Sequence, residues 1–404
     1  MGFELSERAR DIQIQLQAFM EEHIFPREHE FEMFTSDQNN LWEYPPWYED
    51  LKSKAREQGL WNLFLPEEYA PWSPGLTNAE IAPLFETICR SAWSQEIFNC
   101  NAPDRGNMEV LAKYGTEAQQ KQWLEPLLAG EIRSAYAMTE PQVASSDATN
   151  MELKIERDGD EYVLNGNKWW TTGAMNPKCK LLLVMGKSNP DAGRHNQHST
   201  ILVPKNTPGV TIKRALHVFG SLHSPKGEGD MVFENVRVPV SNLILGEGRG
   251  FEIAQGRLGP GRFQYAMMFV GMAERCLEIM CKRADERVAF GEKLSKKTSI
   301  QHEIARSRCD IEQCRLLVLS AAEKMDKQGI DAIVDDVTML KIVAPQMCET
   351  VASRAMQILG GMGVSSDTPV AQIFASSRFC RIADGPDEVH MSRLGKSTIR
   401  SYLN

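Results

Sequence analysis

Between about Ser134 and Leu245 the chain loses helical spacing and becomes a series of short β-prone runs: "EYVLNGNKWWTTG", "KCKLLLVMGK", "HSTILVP", "GVTIKRAL" and "GDMVFENVRVP". Gly, Pro and Asn separate the runs, and about six to eight strands would account for them. On either side, from about Leu5 to Ala129 and from about Gly250 to the end, apolar residues recur at helical intervals. The strand block is thus enclosed by two helical blocks, which suggests a discontinuous helical part. The reading is a helix–sheet–helix order, with expected parts 1–129, 130–248 and 249–404.

Ser6 is the expected N-cap of the first helix, Gly59 stops "YEDLKSKAREQGLW", and Asn78 is the expected cap of "NAEIAPLFETICRS". Asn165-Gly166, between two β-prone runs, reads as a two-residue hairpin turn. In the last part Ile304, Ile311, Val318 and Met325 stand at heptad spacing, interleaved with Ser307, Cys314 and Ala321, the seam of a long packed helix. Pro345 should kink or bend the helix that contains it, "DDVTMLKIVAPQMCETVASRAMQIL".

The net charge of −9, from 45 basic and 54 acidic residues, argues against a dedicated nucleic-acid binder, which needs a basic footprint for phosphates. No apolar run has the length of a membrane span, and the first residues lack a signal-peptide pattern. The nine cysteines form no CxxC pair, so no metal is expected; reduced, packed thiols in a cytoplasmic protein are. "MGFELS" matches a loose myristoylation pattern at Gly2, a match that is usually accidental.

Several local motifs carry two readings each. "GEGRGF" (Gly246–Phe251) lacks the βαβ context of a nucleotide loop and reads as a strand-to-helix linker. In "RVAFG", Arg287 offers a fork for phosphate and Phe290 a flat face, against an ordinary helix C-cap at Gly291. "QILGGMG" (Gln357–Gly363) either stops a helix or lets a ligand approach bare backbone. "AYAMTEPQVASSD" offers polar groups around Met138 and Thr139 with the Ser145 and Ser146 hydroxyls. "KWWTTG" sets two tryptophans on opposite faces of one strand, so that one could cover a flat cofactor. "RIADGPDEVHMSRLGK" concentrates Asp384, Asp387, Glu388 and His390 near the C-terminus, either for proton chemistry or as solvated residues opening the last helix.

Taken in order, "YGTEAQQKQWLEPLLAGEIRSAYAMTEP", "NGNKWWTTG", "FENVRVP", "RVAFG" and "QILGGMG" resemble the acyl-CoA dehydrogenase family of flavoproteins over nearly the whole chain. "LKSKAREQGLWNLFLPEE", "FNCNAPDRGNMEVL" and "ADGPDEVH" are similar to the branch that contains family members 10 and 11. The resemblance implies an α+β, multi-part fold: an N-terminal helical domain, a middle β-barrel-like domain and a C-terminal four-helix bundle. It also implies FAD as cofactor, an acyl-CoA substrate, a homodimer or homotetramer, and electron-transferring flavoprotein as electron acceptor in fatty acid metabolism. Carried over by motif, Met138, Thr139, Ser146, Trp170 and Thr172 would surround the isoalloxazine ring. Arg287 and Phe290 would contact the pyrophosphate-adenosine half, Gln357 and Gly361 the same half from a neighbouring subunit, and Glu388 the adenylate region. Arg262 and Gly385 match positions beside the acyl-CoA site.

The family's catalytic glutamate lies 27 residues after the glutamine of "QILGG", and here that spacing runs from Gln357 to Asp384. Asp384 is thus the implied base for the α-proton of the thioester, with the β-hydride passing to flavin N5 to leave a trans-2-enoyl-CoA. Aspartate reaches about 1.5 Å less than glutamate, and a base must lie within hydrogen-bond distance of its proton. The family's alternative base position falls on Gly261, which has no side chain. Two other readings follow: a flavin oxidase on the same scaffold, as nitroalkane oxidases are similar in using aspartate, and a flavin-free interaction protein.

Overall fold

The computed structural model describes residues 5–403, so Gly2 of the myristoylation pattern lies outside them. The chain opens with α1 (Glu7–Phe19), α2 (Glu28–Ser36), α3 (Tyr48–Glu57), α4 (Asn78–Ile88) and α5 (Asp104–Tyr114), then the short α6 (Glu117–Gln119) and α7 (Glu125–Leu128). Ser6 caps α1 as expected, accepting from the Ala9 amide. The cap of α4 is not Asn78 but Thr77, which forms a reciprocal capping box with Glu80; Asn78 is already helical.

Seven strands follow: β1 (Arg133–Ala137), β2 (Lys154–Asp158), β3 (Glu161–Thr172), β4 (Cys179–Lys187), β5 (His198–Pro204), β6 (Val210–Leu216) and β7 (Glu228–Pro239). They form one curled sheet in the order β1-β4-β2-β3-β7-β6, with β5 on β4. β1 runs parallel to β4, while β2–β3, β3–β7, β4–β5 and β6–β7 are antiparallel. Leu164, Leu182, Val184, Ile201, Val203, Phe233 and Val236 fill its interior.

Asn165-Gly166 is not a hairpin turn. β3 runs straight through it, and the turn into β3 is made upstream at Gly159, with φ 62°. The pairing register of β3 on β7 slips between Leu164 and Gly166, a bulge. Gly166 is there for space: a Cβ on it would lie 2.9 Å from Leu153 Cα. The Asn165 side chain accepts from the Asn235 amide at 2.8 Å and closes the gap in the ladder.

The last part comprises α8 (Gly250–Glu286), the two-stranded ribbon β8 (Val288–Ala289) and β9 (Glu292–Lys293), α9 (Thr298–Gln328), α10 (Val334–Leu359), α11 (Val370–Cys380) and α12 (Asp387–Leu403). "GEGRGF" links β7's exit to α8, as expected of a linker. Gly291 does not cap a helix; with Phe290 it makes the ribbon's turn, at φ 84° and 54°. α9 buries Ser307, Ile311, Cys314, Val318, Ala321 and Met325, the heptad seam apart from the half-buried Ile304. α10 continues through Pro345 as one helix and packs on α9, α11 and α12.

The chain divides into two compact units. Of the described residues, one gathers 5–33, 47–98 and 259–403 and is helical apart from the β8–β9 ribbon; the other gathers 34–46 and 99–258 and holds the sheet. All nine cysteines are free thiols; Cys281 and Cys309 are exposed rather than packed. Among the described residues no helix is long and apolar enough to cross a membrane, and no cluster of three His, Cys, Asp or Glu residues could hold a metal.

Candidate active site

In the sheet unit, the segment after β1 is tied to β3 by one buried ion pair. Lys168 Nζ donates to Glu140 Oε1 at 2.7 Å and to the Met138 carbonyl at 2.7 Å. Glu140 is satisfied further by the Glu152 and Leu153 amides at 2.7 and 2.9 Å. Burial pulls the Lys168 ammonium down to about 8, against the opposing pull of Glu140. The Trp169 amide donates to the Thr139 carbonyl at 2.9 Å, so Met138 and Thr139 lie beside Trp169–Thr172.

At this patch β3 is irregular. Its register slips again between Lys168 and Thr171, and Trp170 takes φ 51°. Strict alternation therefore fails: both Trp169 and Trp170 are half-buried, their rings 6.0 Å apart and tilted by 57°, rather than one in the core and one outside. Met138, Thr139 and Thr172 are also half-buried. Trp169 Nε1 is a buried donor with no hydrogen-bond partner in the structure. A patch of half-buried planar side chains with an orphaned donor fits a flat heterocycle that brings acceptors. Ser145 is spent on its own loop, bonded to the Glu140 amide at 2.9 Å, whereas Ser146 is exposed.

In the helical unit the chain reverses between α11 and α12 over Arg381–Pro386. Asp384 and Gly385 both have positive φ, 55° and 96°, a conformation that aspartate tolerates better than most residues. The turn is held by its main-chain oxygens. Arg262 of α8 places Nε and Nη2 each 3.2 Å from the Asp384 carbonyl, and His390 Nε2 lies 3.3 Å from the same oxygen. Lys341 of α10 donates to the Cys380 carbonyl at 2.5 Å and the Gly385 carbonyl at 3.3 Å. Arg381 Nε and Gln346 Nε2 meet Asp387 Oδ2 at 2.7 and 3.1 Å. These bonds tie down the backbone of residue 384 and leave its half-buried carboxylate outside them.

Burial depresses Arg262, Lys341 and His390 alike, and the Asp384 charge partly offsets this for the first two. His390 is pushed down to about 4 by burial and by the cations Arg262, Lys341 and Arg393.

Arg262, Asp384 and Gly385 thus fall into one cluster. Glu388 is an exposed residue of the first turn of α12. Arg287 and Phe290 are exposed on the β8–β9 ribbon, Phe290 at 99% exposure under Lys297. Gln357 and Gly361 are exposed at the end of α10. Asp387 and His390 are not solvated residues opening the last helix: they retain 5% and 4% exposure. Nothing local marks Lys341, whereas His390 stands in the C-terminal stretch that offers proton chemistry or a solvated turn, and the fold buries it. Glu140 and Lys168 stood inside quoted motifs, but only the fold pairs them.

The chain matches the family models for the acyl-CoA dehydrogenase N-terminal domain over residues 6–131, the middle domain over 135–236 and the C-terminal domain over 248–399. It is 50% identical over 400 residues to acyl-CoA dehydrogenase family member 10 of Mus musculus, covering 98% of this chain and 37% of the relative. Against family member 11 of Rattus norvegicus it covers 51% of the relative, so the chain spans about half or less of these proteins. Probable acyl-CoA dehydrogenase FadE2 of Mycobacterium tuberculosis is 48% identical, with 99% of this chain and 97% of that one covered. A solved acyl-CoA dehydrogenase homologue from Mycobacterium abscessus superposes with TM-score 0.95 at 45% identity, covering 99% and 100% of the two chains.

Proposed function

Because the chain belongs to the acyl-CoA dehydrogenase family, we propose that it oxidises an acyl-CoA thioester to the trans-2-enoyl-CoA, with Asp384 as base and FAD as cofactor. The observation that carries this reading is the grip of Arg262 on the Asp384 carbonyl: cation and main chain are bonded to each other, so the carboxylate is held in place yet not neutralised by a direct bond. A positioned carboxylate is what general-base catalysis asks for.

On this reading Met138, Thr139, Ser146, Trp170 and Thr172 hold the isoalloxazine ring, a role that the half-buried patch and the orphaned Trp169 donor fit. Arg287, Phe290, Gln357, Gly361 and Glu388 hold the pyrophosphate-adenosine part, Gln357 and Gly361 from a second copy, and their exposure suits a role across subunits. FAD, when bound, supplies the two-electron acceptor for the hydride that leaves the β-carbon. Asp384 takes the α-proton and becomes the neutral acid as the Cα–Cβ double bond forms. A backbone N–H of the Asp384–Gly385 turn donates to the thioester oxygen and stabilises its developing charge. A homodimer or homotetramer and electron-transferring flavoprotein as oxidant complete the proposal.

The test is anaerobic bleaching of the purified yellow protein across acyl-CoA lengths and branches, with Asp384→Asn alongside. Bleaching by one acyl class in the wild type and its loss in the variant is the expected pair of results. Equal bleaching by both proteins would remove Asp384 from the role. The aspartate itself favours a second reading, a flavin oxidase; bleaching by nitroalkanes alone, with peroxide formed in air, would establish that instead.

A further inference from the structure

The Asp384 carbonyl has two donors from different elements, Arg262 on α8 and His390 on α12. A carbonyl oxygen only accepts, so the His390 nitrogen that faces it carries a proton, and the neutral ring that makes this bond is the Nε2–H tautomer. The ring retains 4% exposure; the cations Arg262 from α8, Lys341 from α10 and Arg393 from α12 act on it, and the Asp384 and Asp387 carboxylates act on the same Lys341. It also touches the neighbouring residue: a Cβ on Gly385 would lie 2.8 Å from His390 Nε2. The imidazole therefore packs flush against the two consecutive left-handed residues of the turn.

From this geometry we infer that His390 is a positioning residue: as a neutral Nε2–H imidazole it holds the Asp384 main chain in its left-handed conformation and so sets where the carboxyl group points. The inference rests on the reading of Asp384 as base. It gives that reading a device suited to a short side chain. Asp384 has only two side-chain torsions, so its carboxylate is placed by the backbone more than a glutamate's would be. A main-chain shift of about 1 Å at a catalytic group can cost about 100-fold in rate. Arg262 grips the Asp384 carbonyl from α8 and Lys341 the Gly385 carbonyl from α10. His390 adds a donor to the Asp384 carbonyl from α12 without a further charge beside the carboxylate.

The experiment compares the wild-type holoenzyme with His390→Gln, whose amide can still donate, and His390→Phe, which fills the space and cannot. Three readouts are taken. Nitrogen-15 NMR of the imidazoles should show His390 neutral and protonated on Nε2 at pH 7. Amide hydrogen exchange over residues 381–387 should speed up at least about tenfold in His390→Phe and stay near wild type in His390→Gln. Anaerobic bleaching should slow about 10- to 100-fold in His390→Phe, with acyl-CoA affinity within about threefold of wild type, and return to within about threefold in His390→Gln. A His390 ring that is charged or protonated on Nδ1 at pH 7 overturns the inference. So does His390→Phe that bleaches and exchanges like wild type. If His390→Phe does not fold, the tautomer and the Gln variant still decide. If the wild type bleaches with no acyl-CoA, the dehydrogenase reading fails, while the tautomer and exchange readouts still judge the clamp.

Discussion

Lys168 donates to Glu140 at 2.7 Å, and both side chains are closed off from solvent, Lys168 at 0% and Glu140 at 2% exposure. The pair joins the segment after β1, which presents Met138 and Thr139, to β3, which presents Trp170 and Thr172. Removing one partner strands the other as a buried polar or charged group, which typically costs about 3–5 kcal/mol. Lys168→Met and Glu140→Gln should each lower stability by roughly that amount, and the double variant by clearly less than the sum. Urea unfolding of the four proteins measures this; strict additivity would mean the pair is not coupled. The singles should also lose flavin if the patch holds it, seen as a lower ratio of visible to protein absorbance.

Asp384 sits at φ 55° with its carbonyl gripped by Arg262. Lengthening the side chain from this fixed point overshoots by about 1.5 Å, so Asp384→Glu should bleach slower than wild type, by about 10- to 100-fold. Asp384→Asn should lose about 100- to 10,000-fold, the range for removing a general base. Stopped-flow bleaching with the preferred acyl-CoA decides between them. A glutamate variant as fast as wild type would show that reach at this position is not limiting.

Gly271 of α8 meets α4 at backbone distance: a Cβ there would lie 2.2 Å from the Glu86 carbonyl oxygen. Neither neighbour can yield, because both atoms belong to helix main chain. Gly271→Ala should destabilise the helical unit by about 1–3 kcal/mol through overpacking, despite the better helix propensity of alanine. Unfolding midpoints in urea would register it, and a gain in stability would contradict the close approach.

His390 is pushed down to about 4 from an ordinary 6.5 by burial among cations. Well above pH 6.5 the ring is neutral in both the folded and unfolded chain. As pH falls from 6.5 towards 4, the unfolded chain takes up a proton that the folded chain refuses, so stability is lost across that window and levels off below it. His390→Gln removes this contribution. The wild type should therefore lose more stability than the variant between pH 7 and 4, measured as the difference in urea midpoints at each pH. Parallel profiles would show that His390 titrates normally.

The order of helical, strand and helical parts was legible from periodicity, because burying one face of a helix or a strand leaves spacings that no later packing can erase. The α9 seam was legible for the same reason, as was the family likeness carried by the motifs from Tyr114 to Gly363. What periodicity cannot hold is how a chain departs from its own regular geometry. Asn165-Gly166 carries the local chemistry of a turn, yet Leu153 passing close by makes it a bulge, and the slip at Trp170 undoes the alternation expected of two adjacent tryptophans. Phe290-Gly291 turns a ribbon where the local signal suggested a helix end. The setting of Asp384 was the least legible of all. Its position along the chain could be counted from Gln357, but Arg262, Lys341 and His390 come to it from three separate helices. His390, six positions on, reaches the Asp384 carbonyl through the turn itself. The contact from Arg262, 122 positions away, and the approach of Lys341 exist only once the chain has closed on itself, because each side chain's surroundings are set by partners that its own neighbourhood does not specify.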